Sequence, residues 1–150
     1  MNFKTFSSRE TKRLAARLAR QVLRARTPRR RAWVITLSGD LGTGKTTFIQ
    51  GFCRGLGLRP GASPTFIFLR RQTLRRARFK NVYHADLYRL QNARELAALG
   101  WREVMREPGN IVLIEWPERA GRSLSRPRIR IRLRHGQTNN ERIISISNRD

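Results

Sequence analysis

Gly39-Asp40-Leu41-Gly42-Thr43-Gly44-Lys45-Thr46 sets glycines, a lysine and a hydroxyl in the pattern G-x-x-x-x-G-K-[ST], which is chemistry for gripping phosphates. The glycines let the backbone curl so that successive N–H groups point at phosphate oxygens. Lys45 adds a mobile positive charge, and the Thr46 hydroxyl is of a type that holds Mg²⁺ beside the phosphates. The expected ligand is ATP or GTP. Leu41, Gly42, Thr43, Gly44, Lys45, Thr46 and Thr47 are the candidate nucleotide-binding residues of this loop.

Hydrolysis asks for more than a cradle, because a metal must be held on the phosphates and a water placed in line with the breaking bond. Carboxylates do both, and the chain has only 10 Asp and Glu. Glu115 closes the apolar run Ile111-Val112-Leu113-Ile114, where open α/β sheets present ligand-binding groups, and is expected to complete the metal site with Thr46. Asp86 ends a second strand-like run and would bring another carboxylate to the same edge, to orient water or hold a metal-bound water; the competing assignment is a turn or helix-capping aspartate. Asp40 is expected to shape the loop or sense the nucleotide rather than serve as a base, since a carboxylate pressed on phosphate would repel it. His84 reads as a structural strand residue, and Trp116 as packing that fixes the backbone of Glu115. Thr65 fits either a residue that senses the terminal phosphate or a strand start after Pro64.

These groups need elements to carry them. Trp33-Val34-Ile35-Thr36-Leu37-Ser38 is an apolar, β-branched run of strand length leading into the glycine loop. Phe48, Ile49, Phe52, Cys53 and Leu56 then recur at helical spacing, so a helix starting near Lys45 aims its positive N-terminal end at the ligand. Upstream, Ser7 and Glu10 have capping-box form before a helix with Leu14, Ala15, Leu18 and Val22 on one face and Arg13, Arg17, Arg20 and Arg24 on another, stopped by Pro28. Downstream, Ile67-Phe68-Leu69 and Val82-Tyr83-His84 read as strands. Residues 92–106 read as two short helices or one broken at Gly100. At the end, Ile129, Ile131 and Leu133 alternate with Arg128, Arg130, Arg132 and Arg134, and a strand from Arg142 to Ser147 returns as a hairpin with one buried and one basic face. The expected architecture is an α/β P-loop NTPase fold, a single domain with a mixed central sheet flanked by helices and ending in a β-hairpin.

Composition bounds the partners. The 150 residues suit one core of ordinary size. No apolar run approaches the roughly 20 residues of a membrane span and no signal-peptide pattern opens the chain, so a cytoplasmic protein without membrane contact is expected. Cys53 is the single cysteine and reads as a small buried hydrophobe. Net charge is +23, with 29 Arg against 4 Lys, which points to a polyanion such as RNA or else to arginine loading of solvated faces.

Four segments in order carry a resemblance: Leu37 to Thr47, Ser63-Pro64-Thr65-Phe66, His84-Ala85-Asp86-Leu87-Tyr88-Arg89-Leu90, and Ile114-Glu115-Trp116-Pro117-Glu118. Together they resemble the bacterial tRNA threonylcarbamoyladenosine biosynthesis ATPase family TsaE, formerly YjeE. The resemblance implies that Lys45 and Thr46 bind phosphate and Mg²⁺, that Glu115 completes the metal site, and that Asp86 supports hydrolysis. It further implies that Arg142 reaches the nucleotide, and that the segment from Ser8 to Thr11 lies beside the base or ribose. The implied partners are TsaD and TsaB, with TsaC supplying a threonylcarbamoyl adenylate and tRNA a candidate component of the complex; DNA is not expected. The basic first helix departs from a family in which acidic ones are common. Two other classes share parts of the pattern, namely a small-molecule P-loop kinase and a basic RNA-binding protein with a regulatory nucleotide site.

Overall fold

A computed structural model describes residues 1–26, 30–59, 69–76 and 78–148. Their elements, in chain order, are β1 (Asn2–Thr5), α1 (Ser8–Arg24), β2 (Trp33–Ser38), α2 (Lys45–Gly55), β3 (Leu69–Arg76), β4 (Phe79–Asp86), α3 (Ala93–Ala98), α4 (Trp101–Arg106), β5 (Asn110–Glu115), a 3-10 segment (Pro117–Ser123), β6 (Ile129–His135) and β7 (Arg142–Asn148). The strands form a seven-stranded mixed sheet in the order β1-β7-β6-β2-β5-β4-β3. β5 runs parallel to β2 and β4, and β6 runs parallel to β2. The remaining pairs, β1 with β7, β6 with β7 and β3 with β4, are antiparallel.

Strands flanked on both sides by parallel neighbours and covered on both faces become apolar throughout, and β5 is buried at every position. On one face, Trp33, Ile35, Leu37, Ile111, Leu113, Ile129, Ile131 and Ile144 pack against Ala15, Leu18, Phe48, Ile49 and Phe52 of α1 and α2. On the other, Val34, Ala85, Val112 and Ile114 pack against Leu96, Trp101, Val104 and Met105 of α3 and α4, with Ala120 of the 3-10 segment. The two helices of the first layer approach closely because α2 turns glycines toward α1. A Cβ at Gly51 would lie 2.5 Å from the Lys12 backbone and one at Gly55 2.5 Å from the Ala16 carbonyl oxygen.

Several departures from the sequence reading are local. β1 was not anticipated; four residues are too few to show a period, and its pairing with β7 fixes it. β3 continues to Arg76, well past Leu69, because an edge strand can place arginines toward water along its length, as Arg70 and Arg71 are. Ser7 Oγ does accept from Glu10 N at 3.2 Å, but Glu10 Oε2 accepts from Phe6 N at 2.8 Å rather than from Ser7, so the reciprocal half of the box shifts by one residue. Gly100, at φ 71°, separates α3 from α4. α1 ends at Arg24, ahead of Pro28; Pro28, Thr65, Ile67 and the Ser63–Phe66 segment lie outside the described residues. No described helix is long and apolar enough to cross a membrane.

Candidate functional site

Parallel pairing sets three strand ends level. Leu37 of β2 and Asp86 of β4 are both register partners of Glu115 on β5, so the glycine loop leaving β2 and the two carboxylates emerge at one edge of the sheet. Gly39 makes that exit possible. At φ 141° it passes so close to the Leu133 carbonyl oxygen that a side chain there would overlap it. Gly42 and Gly44 also adopt positive φ, at 75° and 97°. α2 then starts with no side-chain cap, which leaves its first N–H groups for another acceptor.

Lys45 folds back over this loop, its Nζ donating to the carbonyl oxygens of Gly39 at 2.6 Å and Asp40 at 2.9 Å. Its ammonium also stands 4.3 Å from the ring centre of Trp116. Burial lowers the Lys45 pKa below the usual lysine range, opposed by the negative charges of Glu115, Asp86, Asp40 and Glu118. Trp116 reaches this position through an αL backbone (φ 56°, ψ 53°), and it is the one non-glycine with positive φ among the described residues. That cost is concentrated at the residue after the buried acid, where functional strain is commonly found. Tyr88 packs on the same indole at 5.0 Å.

Glu115 is buried and its Oε1 lies 2.8 Å from Nε2 of His84. Asp86 accepts from the Tyr88 N–H at 3.1 Å. Burial raises its pKa above the usual carboxylate range and nearby Glu115 adds to the rise, while the Tyr88 N–H, His84 and Lys45 oppose it.

Two clefts adjoin at the loop and share Gly42, Gly44 and Thr47. One, of about 300 Å³, is lined by Leu41, Lys45, Thr46, Asp86, Tyr88, Glu115 and Trp116 as well. The other, of about 360 Å³, adds Phe6, Ser7, Ser8, Thr11, Asn140 and Arg142. Of the candidate catalytic and nucleotide-binding residues, all line one cleft or the other except Thr43, which is buried in the loop with its hydroxyl on the Asp40 carbonyl oxygen at 2.8 Å; Asp40 and His84 line neither, and Thr65 lies outside the described residues. Thr11 bonds the Thr5 hydroxyl at 2.8 Å, tying α1 to β1. Arg142 donates to the carbonyl oxygens of Asn139 and Glu141 and, at 3.3 Å, of Gly42. Beside it in register, His135 stands 3.4 Å from the Leu41 carbonyl oxygen.

The sequence reading missed His84 as the partner of Glu115 and Trp116 as the platform under Lys45. The first carried a signal, since His84 and Asp86 are two apart on a strand and share a face. The second depends on a backbone conformation that no spacing announces.

The donors in the smaller cleft are hard oxygens, Thr46, Asp86 and Glu115, the chemistry Mg²⁺ prefers. No described cluster of three or more His, Cys, Asp or Glu forms a protein-only cage. The oxygen donors fit a Mg²⁺ held by one or two side chains together with substrate phosphates.

The sequence profile of the family described as threonylcarbamoyl adenosine biosynthesis protein TsaE matches residues 5–144. The chain belongs to the TsaE family. It is 40% identical over 145 residues to the tRNA threonylcarbamoyladenosine biosynthesis protein TsaE of Rickettsia conorii, covering 93% of this chain and 74% of that one. The corresponding TsaE of Rickettsia prowazekii is 39% identical over 118 residues, covering 75% and 76%. Among solved structures, that of YdiB from Bacillus subtilis superposes with a TM-score of 0.72 at 29% identity, covering 99% of this chain and 84% of that one. The TsaE match thus spans the glycine loop, both carboxylates and the start of the last strand.

Proposed function

We propose that this TsaE protein is a P-loop ATPase of the tRNA threonylcarbamoyladenosine pathway, hydrolysing ATP with Mg²⁺ to drive turnover of a TsaD–TsaB complex. The observation that carries the reading is the single cleft shared by Lys45, Thr46, Asp86 and Glu115, built from three separate segments at one sheet edge.

In this reading the loop N–H groups and the α2 N-terminus take the phosphates, and Lys45 exchanges the Gly39 and Asp40 carbonyls for phosphate oxygens. Thr46 and Glu115 would hold Mg²⁺, which when bound neutralises charge on the phosphate oxygens. Asp86 orients the attacking water, and its raised pKa suits a group that shares a proton with that water. Thr11 and Arg142 border the second cleft, which in this reading takes the ribose and base. Tyr88 and Trp116 narrow the phosphate side against bulk water.

The deciding experiment is threonylcarbamoyl transfer reconstituted with TsaD, TsaB, TsaC and tRNA over many turnovers. The chain should sustain product formation beyond the first cycle and release phosphate in step with it, and Lys45→Ala should do neither. Sustained transfer without the chain, or with Lys45→Ala, would overturn the reading.

A further inference from the structure

Helices cover both faces of β2, β5 and β4, but α3, α4 and the 3-10 segment leave the outer face of β6, β7 and β1 open. Ile129, Ile131 and Leu133 of β6 point into the core, so Arg130, Arg132 and Arg134 all point out and are exposed. Alternate residues of a strand stand about 6.6 Å apart, which lines up three guanidinium groups at a spacing comparable to adjacent phosphates of one nucleic-acid strand.

The ground beside Arg130 and Arg132 is low and polar, whereas Arg134 pairs with Ile143, which lies across from Lys4 on β1. Ser145 is the register partner of Arg132, Ser147 that of Arg130, and Asn2 lies across from Ser145 on the next strand. Among the described residues none of the three arginines has a carboxylate partner; Glu141, the acid just ahead of the returning strand, is engaged with Lys4 at 3.2 Å and with the Gln137 N–H. Unneutralised arginines repel one another and gain most from a ligand that carries regular negative charge and flat bidentate acceptors. An acidic protein surface presents scattered carboxylates, whereas a phosphate backbone presents them in a row. No aromatic side chain lies in this row, so contact would be with the backbone rather than with stacked bases.

We propose that the open face of β6, β7 and β1 binds the phosphate backbone of RNA through Arg130, Arg132 and Arg134. That the RNA is tRNA rests on the function proposed above; the recognition chemistry does not. The test is equilibrium binding of labelled tRNA by the full chain across a salt series. Its variants are a triple Arg130→Gln, Arg132→Gln, Arg134→Gln, the corresponding triple lysine variant, and a control that removes three exposed charges from α1 (Arg13→Gln, Arg20→Gln, Arg24→Gln).

The sheet-face glutamine variant should lose about tenfold or more in affinity near physiological salt and flatten the log–log salt slope by about 2–3. The lysine variant should restore most of the slope, and melting curves should match the parent. Absence of tRNA binding by the parent, an unchanged slope in the sheet-face variant, or an equal loss in the α1 control would overturn the assignment. So would an intact tRNA affinity accompanied by lost association with TsaD–TsaB, which would make the face a protein-docking surface. Fluorescent-nucleotide binding is measured in parallel: a chain that binds ATP but not tRNA defeats this inference alone, and one that binds tRNA but not ATP defeats the ATPase reading alone.

Discussion

Nε2 of His84 and Oε1 of Glu115 meet at 2.8 Å across the parallel pair β4–β5, with both side chains almost shut off from water. A buried carboxylate stripped of its partner retains its desolvation cost, so His84→Ala is expected to destabilise the fold by about 1–3 kcal/mol. His84→Gln, which can still donate, should recover part of it. Urea unfolding curves check both, and equal stability of the two variants would show that the contact carries no weight.

Lys45→Ala should weaken ATP binding by about 10–100-fold, the range for losing a charged hydrogen bond to phosphate. It should not lower the stability of the ligand-free protein appreciably, because burial already lowers the lysine's pKa, a sign that its charge is held at a cost. Calorimetric titration and thermal melts separate the two effects.

Asp86 has a raised pKa in the fold, so the folded state binds its proton more tightly than the unfolded chain does. This group therefore works against stability as pH rises from the ordinary aspartate value through the raised one. Asp86→Asn keeps an acceptor for the Tyr88 N–H and should melt higher than the parent at pH 7, with the gap closing as pH falls toward 4. Its phosphate-release rate should nevertheless collapse. A gap that widens in acid would reverse the sign of the argument.

Gly51→Ala drives a methyl into the Lys12 backbone, which cannot swing aside as a side chain would. A loss of about 2–4 kcal/mol is expected, readable as a lower denaturation midpoint.

Cys53 is buried on α2, and burial pushes its thiol up to about 11. A thiol reagent at pH 8 should label it only as fast as the protein unfolds. Rapid labelling under native conditions would contradict its placement.

The glycine loop and the two acids were legible because each ends or follows an apolar run, and such runs announce strands whatever their order. Sheet order was not legible: nothing in Ile111–Ile114 says that β5 separates β2 from β4, and only that placement makes Asp86 a neighbour of Glu115. The His84 contact depends in the same way on register. The continuation of β3 beyond Leu69 escaped because its arginines erase the alternation that marks a half-buried strand, and Trp116 because its role arises from one backbone turn.

His135 and Arg142, facing each other across the closing hairpin, each rest against a carbonyl of the glycine loop, at Leu41 and Gly42. The loop is thus braced from outside by residues nearly a hundred positions away. A chain cut before His135 would retain the whole G-x-x-x-x-G-K-T signature yet lack its buttress, so an intact signature alone is a poor guide to whether a shortened relative can still close on its ligand.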